Sequence, residues 1–588
     1  MFVWLILAGI YYFFIAYPLL RFEVIKKLPV PKWNLAAVSV IYLFAGVFIY
    51  MAVSSEQFVY YWDYGKYYQQ ALDLENQYRT DAFSVLEHVY TTSINSDYGA
   101  WIPSMLAWPL QFTQGRFVDY MMLVYAMFAV PAVFSLSMLG MVWFGSHSKY
   151  SFLIFHAVIM LMPWFMQPML AGYPGIAAFV PLVCSMWIFY KSDGLYRITN
   201  IDSLALAASL IAAALLRRYY CFYLIGFIFG GAGYSFCHWR LKRQGKSEIK
   251  TYILSYLKVG MIGLLALVMF FNGFIQRVLF VDYSEIYVAY NVGDLFSKYK
   301  TFVQHLGILL LAILIVSAVL IIFKHKEYLP LLVFCVVFEI TATAYFFYVQ
   351  SPGVHHYWFF LLPILLLFLF LSDIGKKGLP VYLCVLMGMC FLYNTAYVYA
   401  GNSLIMLNPY ICQKDRYVAR HRSDINELKE LDRYLRSIQK EKKIYCLSSS
   451  RVLNDDILKK LYLPDASSLH LEPVAHVDLR DGFPTGFFDS DIVVTTVPVQ
   501  THLQEGTQQV ITILQNELTD EHSKIAQHFQ EVYSVSLQEG VEAVVYIKKE
   551  PFQTEDIQYL QSLYDQSYPD WKELFYHRFE EYLSKSVV

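Results

Sequence analysis

An acid beside a hydrophobic run is the most informative chemical feature of the sequence. Asp63 follows a predicted membrane-spanning segment among several aromatic residues, and Lys66 lies three positions further on. An interfacial belt of Tyr and Trp explains the aromatic residues. It does not explain an acid and a base one helical turn apart. Because a carboxylate that is partly shielded from water accepts protons more readily, Asp63 is a candidate general base.

Two adjacent arginines form the second candidate site. Arg217 and Arg218 interrupt an apolar stretch that covers residues 204–236. Each arginine would cost about 2.5–3.5 kcal/mol at the centre of a bilayer, so the pair is expected at the tip between two spans. The side chains could reach lipid headgroups or bind an anionic phosphate through a bidentate guanidinium contact. The residues alone leave both interpretations open.

The segment around Asp63 resembles a known family. The GT-C superfamily of polyprenyl-phosphate-sugar-dependent glycosyltransferases includes the lipid-A aminoarabinose transferases and protein O-mannosyltransferases. These enzymes begin their first large external loop with Asp, commonly as Asp-Glu-x-Arg/Lys-Tyr followed by Ala. Four residues match this pattern in order and spacing: Asp63, Lys66, Tyr67 and Ala71. Tyr64 stands where the family has a second acid. The resemblance covers about residues 1–400 and implies a GT-C-like fold.

The resemblance also implies roles for individual residues. Asp63 would take a proton from the acceptor hydroxyl, which then attacks the anomeric carbon of a lipid-linked sugar with inversion. Asp97 lies in a stretch similar to the second half of the family loop and would support Asp63; a turn or cap role before Gly99 is the alternative. The aromatic residues expected to shape the sugar pocket are Tyr61, Trp62 and Tyr67.

Cations are needed near the departing lipid phosphate, because that leaving group carries negative charge. The residues expected to bind the donor phosphate are Lys66, Arg217, Arg218, His355 and His356. The two histidines lie in an outer turn similar to a His-Tyr-x-x-x-x-Pro junction of the family. Adjacent residues do not share one helix face, so a two-histidine metal site is not expected. A location at the membrane interface is the alternative for both.

The composition sets the class of protein that must position these residues. Of 588 residues, 57% are hydrophobic and 16% are charged, whereas soluble domains carry about 25% charged residues. The net charge of −2 argues against a nucleic-acid partner. No Gly-rich nucleotide motif and no metal-ligand spacing is present. The chemistry requires no cofactor, although Asp63 and Asp97 together leave a divalent cation open.

The hydrophobic segments predict a polytopic α-helical membrane protein. A span needs roughly 20 apolar residues, and about twelve candidates occur: 2–20, 33–53, 118–144, 151–170, 176–190, 204–216, 219–236, 259–274, 306–323, 329–348, 358–371 and 379–399. Short loops rich in Lys and Arg alternate with a second set of loops that includes the acidic loop 54–117, which indicates a cytoplasmic location for the basic set. The loop 54–117 and everything after residue 402 are then outside, in a multi-pass protein of the plasma membrane.

The sequence predicts two domains. Residues 1–402 form the GT-C-like membrane domain, and residues 403–588 form a soluble extracytoplasmic α/β accessory domain. Predicted strands at 443–447, 492–496 and 543–548 alternate there with helical segments, one of them at 521–530.

We therefore predict an inverting glycosyltransferase that acts on an envelope glycan, lipid or protein at the outer face, with membrane lipids around it. A transporter or flippase of lipid-linked saccharides is the first alternative, and it predicts internal repeats and broken helices at mid-membrane. A non-enzymatic scaffold for envelope assembly is the second. It predicts that Asp63 is dispensable and the C-terminal domain is not.

Overall fold

The computed structural model describes residues 1–24, 31–144, 150–242, 245–374, 418–465, 469–571 and 579–584, together with Tyr382, Met389 and Tyr393. The chain divides into two compact units. The first unit comprises Met1–Glu56, Lys66–Val281 and Gly293–Ala419. The second comprises Gln57–Gly65, Asp282–Val292 and Arg420–Val588. Two short segments from the N-terminal half therefore belong to the C-terminal unit.

The first unit is helical. Its helices are α1 (Phe2–Arg21), α2 (Lys32–Ser54), α3 (Trp62–Thr80, beginning in the segment Gln57–Gly65), α4 (Ser84–Asn95), α5 (Trp101–Leu110), α6 (Phe117–Val124), α7 (Val130–Phe144), α8 (Ser151–Leu161), α9 (Pro163–Leu170), α10 (Phe179–Lys191), α11 (Asn200–Leu216), α12 (Cys221–Leu241), α13 (Lys246–Phe270), α14 (Asn272–Phe280), α16 (Leu295–Leu306), α17 (Ile308–Phe323), α18 (Leu329–Val349) and α19 (Tyr357–Ile374). The short helix α15 (Tyr283–Ile286) belongs to the second unit. The predicted external loop 54–117 thus contains three helices, α3 to α5.

Most predicted spans are long apolar helices. In the described residues, seven helices can cross a membrane by length and composition: Phe2–Arg21, Lys32–Ser54, Phe117–Phe144, Arg218–Leu241, Ser247–Phe270, Lys326–Val349 and Val354–Ser372. The bent pairs Ser151–Leu161 with Trp164–Leu170, and Leu295–Leu306 with Leu310–Phe323, raise this number to nine if each is one span. Gly175–Lys191 and Asn200–Leu216 are shorter apolar helices. The predicted span 379–399 lies outside the described residues, apart from three isolated positions.

Close helix packing in the first unit depends on small residues. Helix α12 packs along α18, and a Cβ added at Gly226 would lie 2.8 Å from the Phe338 ring. One at Gly230 would lie 2.9 Å from the carbonyl oxygen of Phe334. Glycine lets helix backbones approach closely where no hydrophobic effect drives their association. This contact anchors the helix that follows Arg217 and Arg218.

The second unit is an α/β domain around a four-stranded sheet. Its strands are β1 (Ile444–Leu447), β2 (Ile492–Val497), β3 (Phe529–Ser536) and β4 (Glu542–Lys548), in the order β1-β2-β4-β3. Strands β1 and β2 are parallel, and the other two pairs are antiparallel. The helices are α20 (Ile425–Gln439), α21 (Asp455–Lys460), α22 (Asp478–Asp481), α23 (Thr485–Asp489), α24 (Gln509–Thr519), α25 (Lys524–Gln527) and α26 (Thr554–Ser567). The helix predicted over 521–530 was wrong at its end, where β3 begins.

Both faces of the sheet are covered. Alternate residues of β1, such as Ile444 and Cys446, pack with Leu428 and Leu431 of α20. The intervening residues of β1, Tyr445 and Leu447, pack on the other face of the sheet. Their partners there are Val510 and Leu514 of α24 and Leu560 of α26. Burial on both faces explains why β1 and β2 read as continuous apolar runs.

Candidate functional site

Three charged residues from distant parts of the first unit meet at its Arg217–Arg218 break. Helix α11 ends at Leu216, and a single 3-10 turn, Arg218–Tyr220, leads into α12. The Asp97 carboxylate accepts hydrogen bonds from the guanidinium of Arg218 and, at 2.6 Å, from that of Arg277. Arg277 also donates to the carbonyl oxygen of Asn95 at 2.7 Å. One carboxylate therefore holds two arginines, whose charge it only partly neutralises.

Arg217, the first residue of this break, lies among aromatic rings. It is 6% exposed and donates a hydrogen bond to the Tyr67 hydroxyl. Its guanidinium carbon lies 4.7 Å from the ring centroid of Tyr67, 5.8 Å from that of Tyr98 and 4.9 Å from that of Tyr219. Cations within about 6 Å of an aromatic face are attracted by the ring quadrupole. The aromatic residues thus replace part of the water that burial removes from Arg217.

Lys66 adds a fourth cation to the same region. Its side chain is exposed on α3, and its Nζ lies 5.0 Å from the ring centroid of Tyr98. Tyr98 therefore contacts cations from two helix ends, because Arg217 also packs on it. We call the five charged residues together the cationic cluster: Lys66, Asp97, Arg217, Arg218 and Arg277.

The two predicted histidines adjoin this cluster through Tyr219. The Tyr219 hydroxyl donates to the carbonyl oxygen of His355 at 3.2 Å, and its ring lies edge-on to His356. The His355 ring stacks on Tyr173 with centroids 4.4 Å apart. His356 accepts the backbone N–H of Gly353 at its Nδ1, 3.0 Å away. His356 therefore fixes the turn before α19, and His355 packs against the aromatic wall.

An apolar cavity of about 530 Å³ is lined by residues from helices that neighbour the cationic cluster along the chain. Three of the elements that line it lie within a few residues, along the chain, of a residue of the cationic cluster. Helices α4 and α5 flank Asp97, α11 ends directly before Arg217, and the end of α13 precedes α14, which carries Arg277. Representative lining residues are Ser93, Trp101, Ala208, Ala212, Leu215 and Phe271. The cavity is apolar, and three of the elements around it lie within a few residues of a member of the cationic cluster along the chain.

Asp63, the predicted base, belongs to the second unit. It lies in the first turn of α3, directly after Trp62, whose φ of +46° is in the left-handed region. The backbone N–H of Trp62 donates to the carboxylate of Asp456, which also pairs with Lys460 at 2.7 Å. Gly65 allows the close approach of the Tyr60 carbonyl oxygen, because any Cβ there would overlap it. The start of the helix is therefore fixed by specific neighbours.

The aromatic residues predicted for a sugar pocket differ in exposure. Tyr61 is 6% exposed and packs in the core of the second unit with Leu428 and Leu431. Burial, with a smaller effect of Tyr64, raises the pKa of Tyr61 to about 12. Tyr67 has no exposed surface, whereas Trp62 is half-buried. Of the three, Trp62 is the residue that keeps surface for a ligand.

Trp62 lies over a polar network at the carboxyl ends of β1 and β2. Its indole packs on the His502 imidazole with ring centroids 4.2 Å apart. His502 Nδ1 lies 2.9 Å from the carbonyl oxygen and 3.1 Å from the hydroxyl of Ser449. The same hydroxyl lies 3.0 Å from His476 Nδ1, and His476 Nε2 lies 3.0 Å from Asp455. Carboxyl ends of parallel strands are the usual binding edge of α/β sheets.

Ser449, His476 and Asp455 contact one another in the sequence hydroxyl, imidazole, carboxylate, as in a nucleophilic triad. The burial of Ser449 indicates another role. Ser449 has no exposed surface, and its hydroxyl is held between two imidazoles. A nucleophile must be reached by its substrate. The network instead ties the loops after β1 and β2 together beneath Trp62.

The charges of this network are set by its surroundings. Burial disfavours the charged form of Asp455, but its hydrogen bond to His476 and the attraction of His476 and Lys459 hold its pKa well below the ordinary value. Burial lowers the pKa of His502 to about 4, and the neighbouring His476 and Arg480 act in the same direction. His502 is therefore neutral at pH 7 and packs on Trp62 as an uncharged ring.

Sequence reasoning missed several of these residues. Arg277 was visible as an arginine beside an apolar helix, but no motif marked it. His502 and Asp456 carried no local signal, because their contacts with Trp62 span hundreds of residues. Among the described residues, no group of three or more His, Cys, Asp or Glu side chains could hold a metal ion.

The chain was compared with known proteins. No protein-family model matches it, and no curated protein is similar enough to count as a relative.

Proposed function

We propose that this protein is an inverting membrane glycosyltransferase that transfers a sugar from a polyprenyl-phosphate donor to an envelope glycan, lipid or protein. The observation that carries the proposal is the cationic cluster, in which four cations surround one carboxylate, together with an apolar cavity lined by helices that lead along the chain to its members. A polyprenyl phosphate has the matching chemistry, because an apolar chain ends in an anionic headgroup.

The cluster suits a lipid phosphate for electrostatic reasons. It combines four cations with one carboxylate, so a bound phosphate would meet excess positive charge. Guanidinium groups bind phosphate oxygens in a planar, bidentate manner. Asp97 and the tyrosines around Arg217 hold these groups in fixed orientations before any ligand binds. Such preorganised charge stabilises the departing phosphate in the transition state.

The chemistry of the transfer step follows from the predicted base. Asp63 would accept the proton of an acceptor hydroxyl, whose oxygen forms a bond to the anomeric carbon. The bond from that carbon to the lipid phosphate breaks at the same time, and the configuration inverts. Trp62, which keeps exposed surface, would contact the sugar. The donor carries its own leaving group, so no nucleotide is required.

The architecture would be that of the GT-C enzymes, with twelve spans and the second unit on the outer face of the plasma membrane. The segments Gln57–Gly65, Asp282–Val292 and Arg420–Val588 form one compact unit, as expected if they share one side of the membrane. The predicted loop 54–117 and the C-terminal domain are both assigned to the outer side by the distribution of Lys and Arg. The common unit supports this shared assignment.

The test is sugar transfer by the purified full-length protein in lipid vesicles, supplied with polyprenyl-phosphate sugars and envelope acceptors. Asp63→Asn should lower kcat by about a hundredfold or more, as expected for loss of a general base. Glu87→Gln is the matched control, since it neutralises an exposed acid of the same external loop. Melting temperatures of both variants should equal that of the wild type.

Two results would contradict the proposal. If the folded Asp63→Asn variant keeps its activity, Asp63 is not the base. If the wild type transfers no sugar from a broad panel of donors, the protein is not a glycosyltransferase, and lipid flipping by the same vesicles becomes the next measurement.

A further inference from the structure

The segment that carries Asp63 is built into the second unit as one of its structural elements. Gln57 forms a parallel bridge with His421: its N–H donates to the carbonyl oxygen of Arg420 at 3.0 Å, and Arg422 donates to its carbonyl oxygen at 2.8 Å. Val59 and Tyr61 then enter the hydrophobic core under the sheet. The C-terminal unit therefore determines the path of the chain up to Tyr61.

Trp62 is the residue through which this path reaches Asp63. Its left-handed φ of +46° is unfavourable for any residue with a Cβ, so the conformation needs support from neighbours. Asp456 provides it on the backbone by accepting the N–H of Trp62. An acidic side chain at this position also suits the first turn of a helix, where backbone N–H groups point outward.

His502 provides the support on the side chain. Its imidazole packs on the Trp62 indole, and two protein segments hold it in place. Ser449 contacts its Nδ1, and Gln508 accepts its backbone N–H at 2.9 Å. A change in the backbone torsion angles of Trp62 would break this ring contact and would also turn the following residue, which is Asp63.

We propose that Asp456 and His502 are positioning residues, which hold Trp62 from its backbone and its ring and thereby fix the direction of the Asp63 carboxylate. The C-terminal unit is then a part of the catalytic apparatus, in contrast to the accessory role predicted from the sequence. This inference rests on the proposed function for its kinetic consequence, and on the structure of the second unit alone for its conformational consequence.

The experiment measures both consequences in the full-length protein. Asp456→Ala and His502→Ala are compared with Glu550→Ala and His522→Ala, which remove an exposed acid and an exposed histidine from the same unit. We expect kcat to fall roughly 10- to 100-fold in the first two variants, because small misplacements of a catalytic group have effects of this size. The donor KM should stay within about twofold, since uniform binding is not affected.

Hydrogen–deuterium exchange supplies the readout that needs no activity. Exchange should accelerate in Gln57–Gly65 while the strands β1 to β4 stay protected. Asp456→Asn keeps a carbonyl oxygen that can accept the Trp62 N–H, so it should restore slow exchange and most of the lost kcat. If an alanine variant unfolds throughout, His502→Gln and Asp456→Leu, which lack the ring and the acceptor oxygen respectively, replace the pair under the same criteria.

The outcomes separate this inference from the proposed function. Unchanged exchange in Gln57–Gly65 overturns it, and so does faster exchange with an unchanged kcat. If the wild type transfers no sugar, the proposed function fails and the exchange data alone decide: acceleration limited to Gln57–Gly65 supports positioning of Asp63, and no acceleration refutes it.

Discussion

The carboxylate of Asp97 accepts a 2.6 Å hydrogen bond from Arg277, a residue 180 positions away in the chain. Arg218 donates to the same carboxylate oxygen. An acid engaged by two guanidinium groups is poorly placed to accept a proton from a substrate, because its charge is already stabilised. Under the proposed function, Asp97 would act on the donor phosphate through the two arginines that it orients.

Asp97→Asn should consequently impair donor binding more than the chemical step. Loss of the negative charge weakens the hydrogen bonds that orient Arg218 and Arg277, so we expect the donor KM to rise about tenfold, equivalent to about 1.4 kcal/mol. Steady-state kinetics with varied donor concentration measure this. Asp119→Asn, which removes the partner of the exposed Arg116, is the control. A large fall in kcat at unchanged KM would instead make Asp97 a second catalytic carboxylate.

Filling the apolar cavity should discriminate between donors by the length of their lipid chain. Ala208→Phe adds a ring to the cavity wall without burying a charge. Each excluded methylene forfeits about 0.8 kcal/mol, so the KM of a long-chain polyprenyl donor should rise about tenfold. A donor with a short chain that does not reach the cavity should be used as before.

Ala36→Phe provides the comparison for this substitution, because it adds the same ring to an exposed position of α2. Equal effects of Ala208→Phe on donors with long and short lipid chains would show that the cavity does not bind the lipid chain of the donor.

His502 should make the second unit less stable in mild acid. Its pKa is about 4 in the folded protein and 6.5 ordinarily, so the unfolded chain binds a proton below pH 6.5 that the folded chain does not. The free energy of unfolding must then fall as the pH decreases from about 6.5 to 4. Asp455, whose pKa is lowered, loses its contribution only below its ordinary value of 3.8.

The measurement compares thermal unfolding at pH 7.5 and pH 5 in wild type and His502→Asn. The variant should lose less stability, by roughly 4–8 °C, which corresponds to about 2 kcal/mol in a domain of this size. The exposed His522→Asn should behave as wild type. The prediction is wrong if His502→Asn and wild type show the same decrease.

The membrane architecture was largely predictable because its signal is local. Hydrophobic length alone located each of the seven helices that can cross a membrane in the described residues, although one of them begins at Ser247 and not at the predicted residue 259. Charge alone located the Arg217–Arg218 break. Strand β3 was missed for the complementary reason. It lies at the sheet edge, pairs only with β4 in the described sheet, and leaves much of its length exposed. Its residues therefore show no apolar run.

The candidate sites were predictable only as separate groups of residues. The cationic residues and Asp63 could be found by their types, but their partners could not. Arg277 reaches Asp97, and Asp456 reaches Trp62, only after the chain has folded. Tyr61 illustrates the limit most clearly. A tyrosine beside a membrane segment is typical of the membrane interface, yet Tyr61 packs in the core of the second unit.

The assembly of the second unit from three distant segments has a consequence for biosynthesis. Trp62 and Asp456 are 394 residues apart, so the ribosome completes nearly all predicted spans before the partners of Trp62 exist. Val59 and Tyr61 must remain outside any core until the C-terminal segment has been synthesised. Domains of large proteins usually fold in the order of their synthesis, and here that order is reversed. A chain terminated before Arg420 would display Asp63 on an unfolded tether, so activity would appear only in chains that were made to the end.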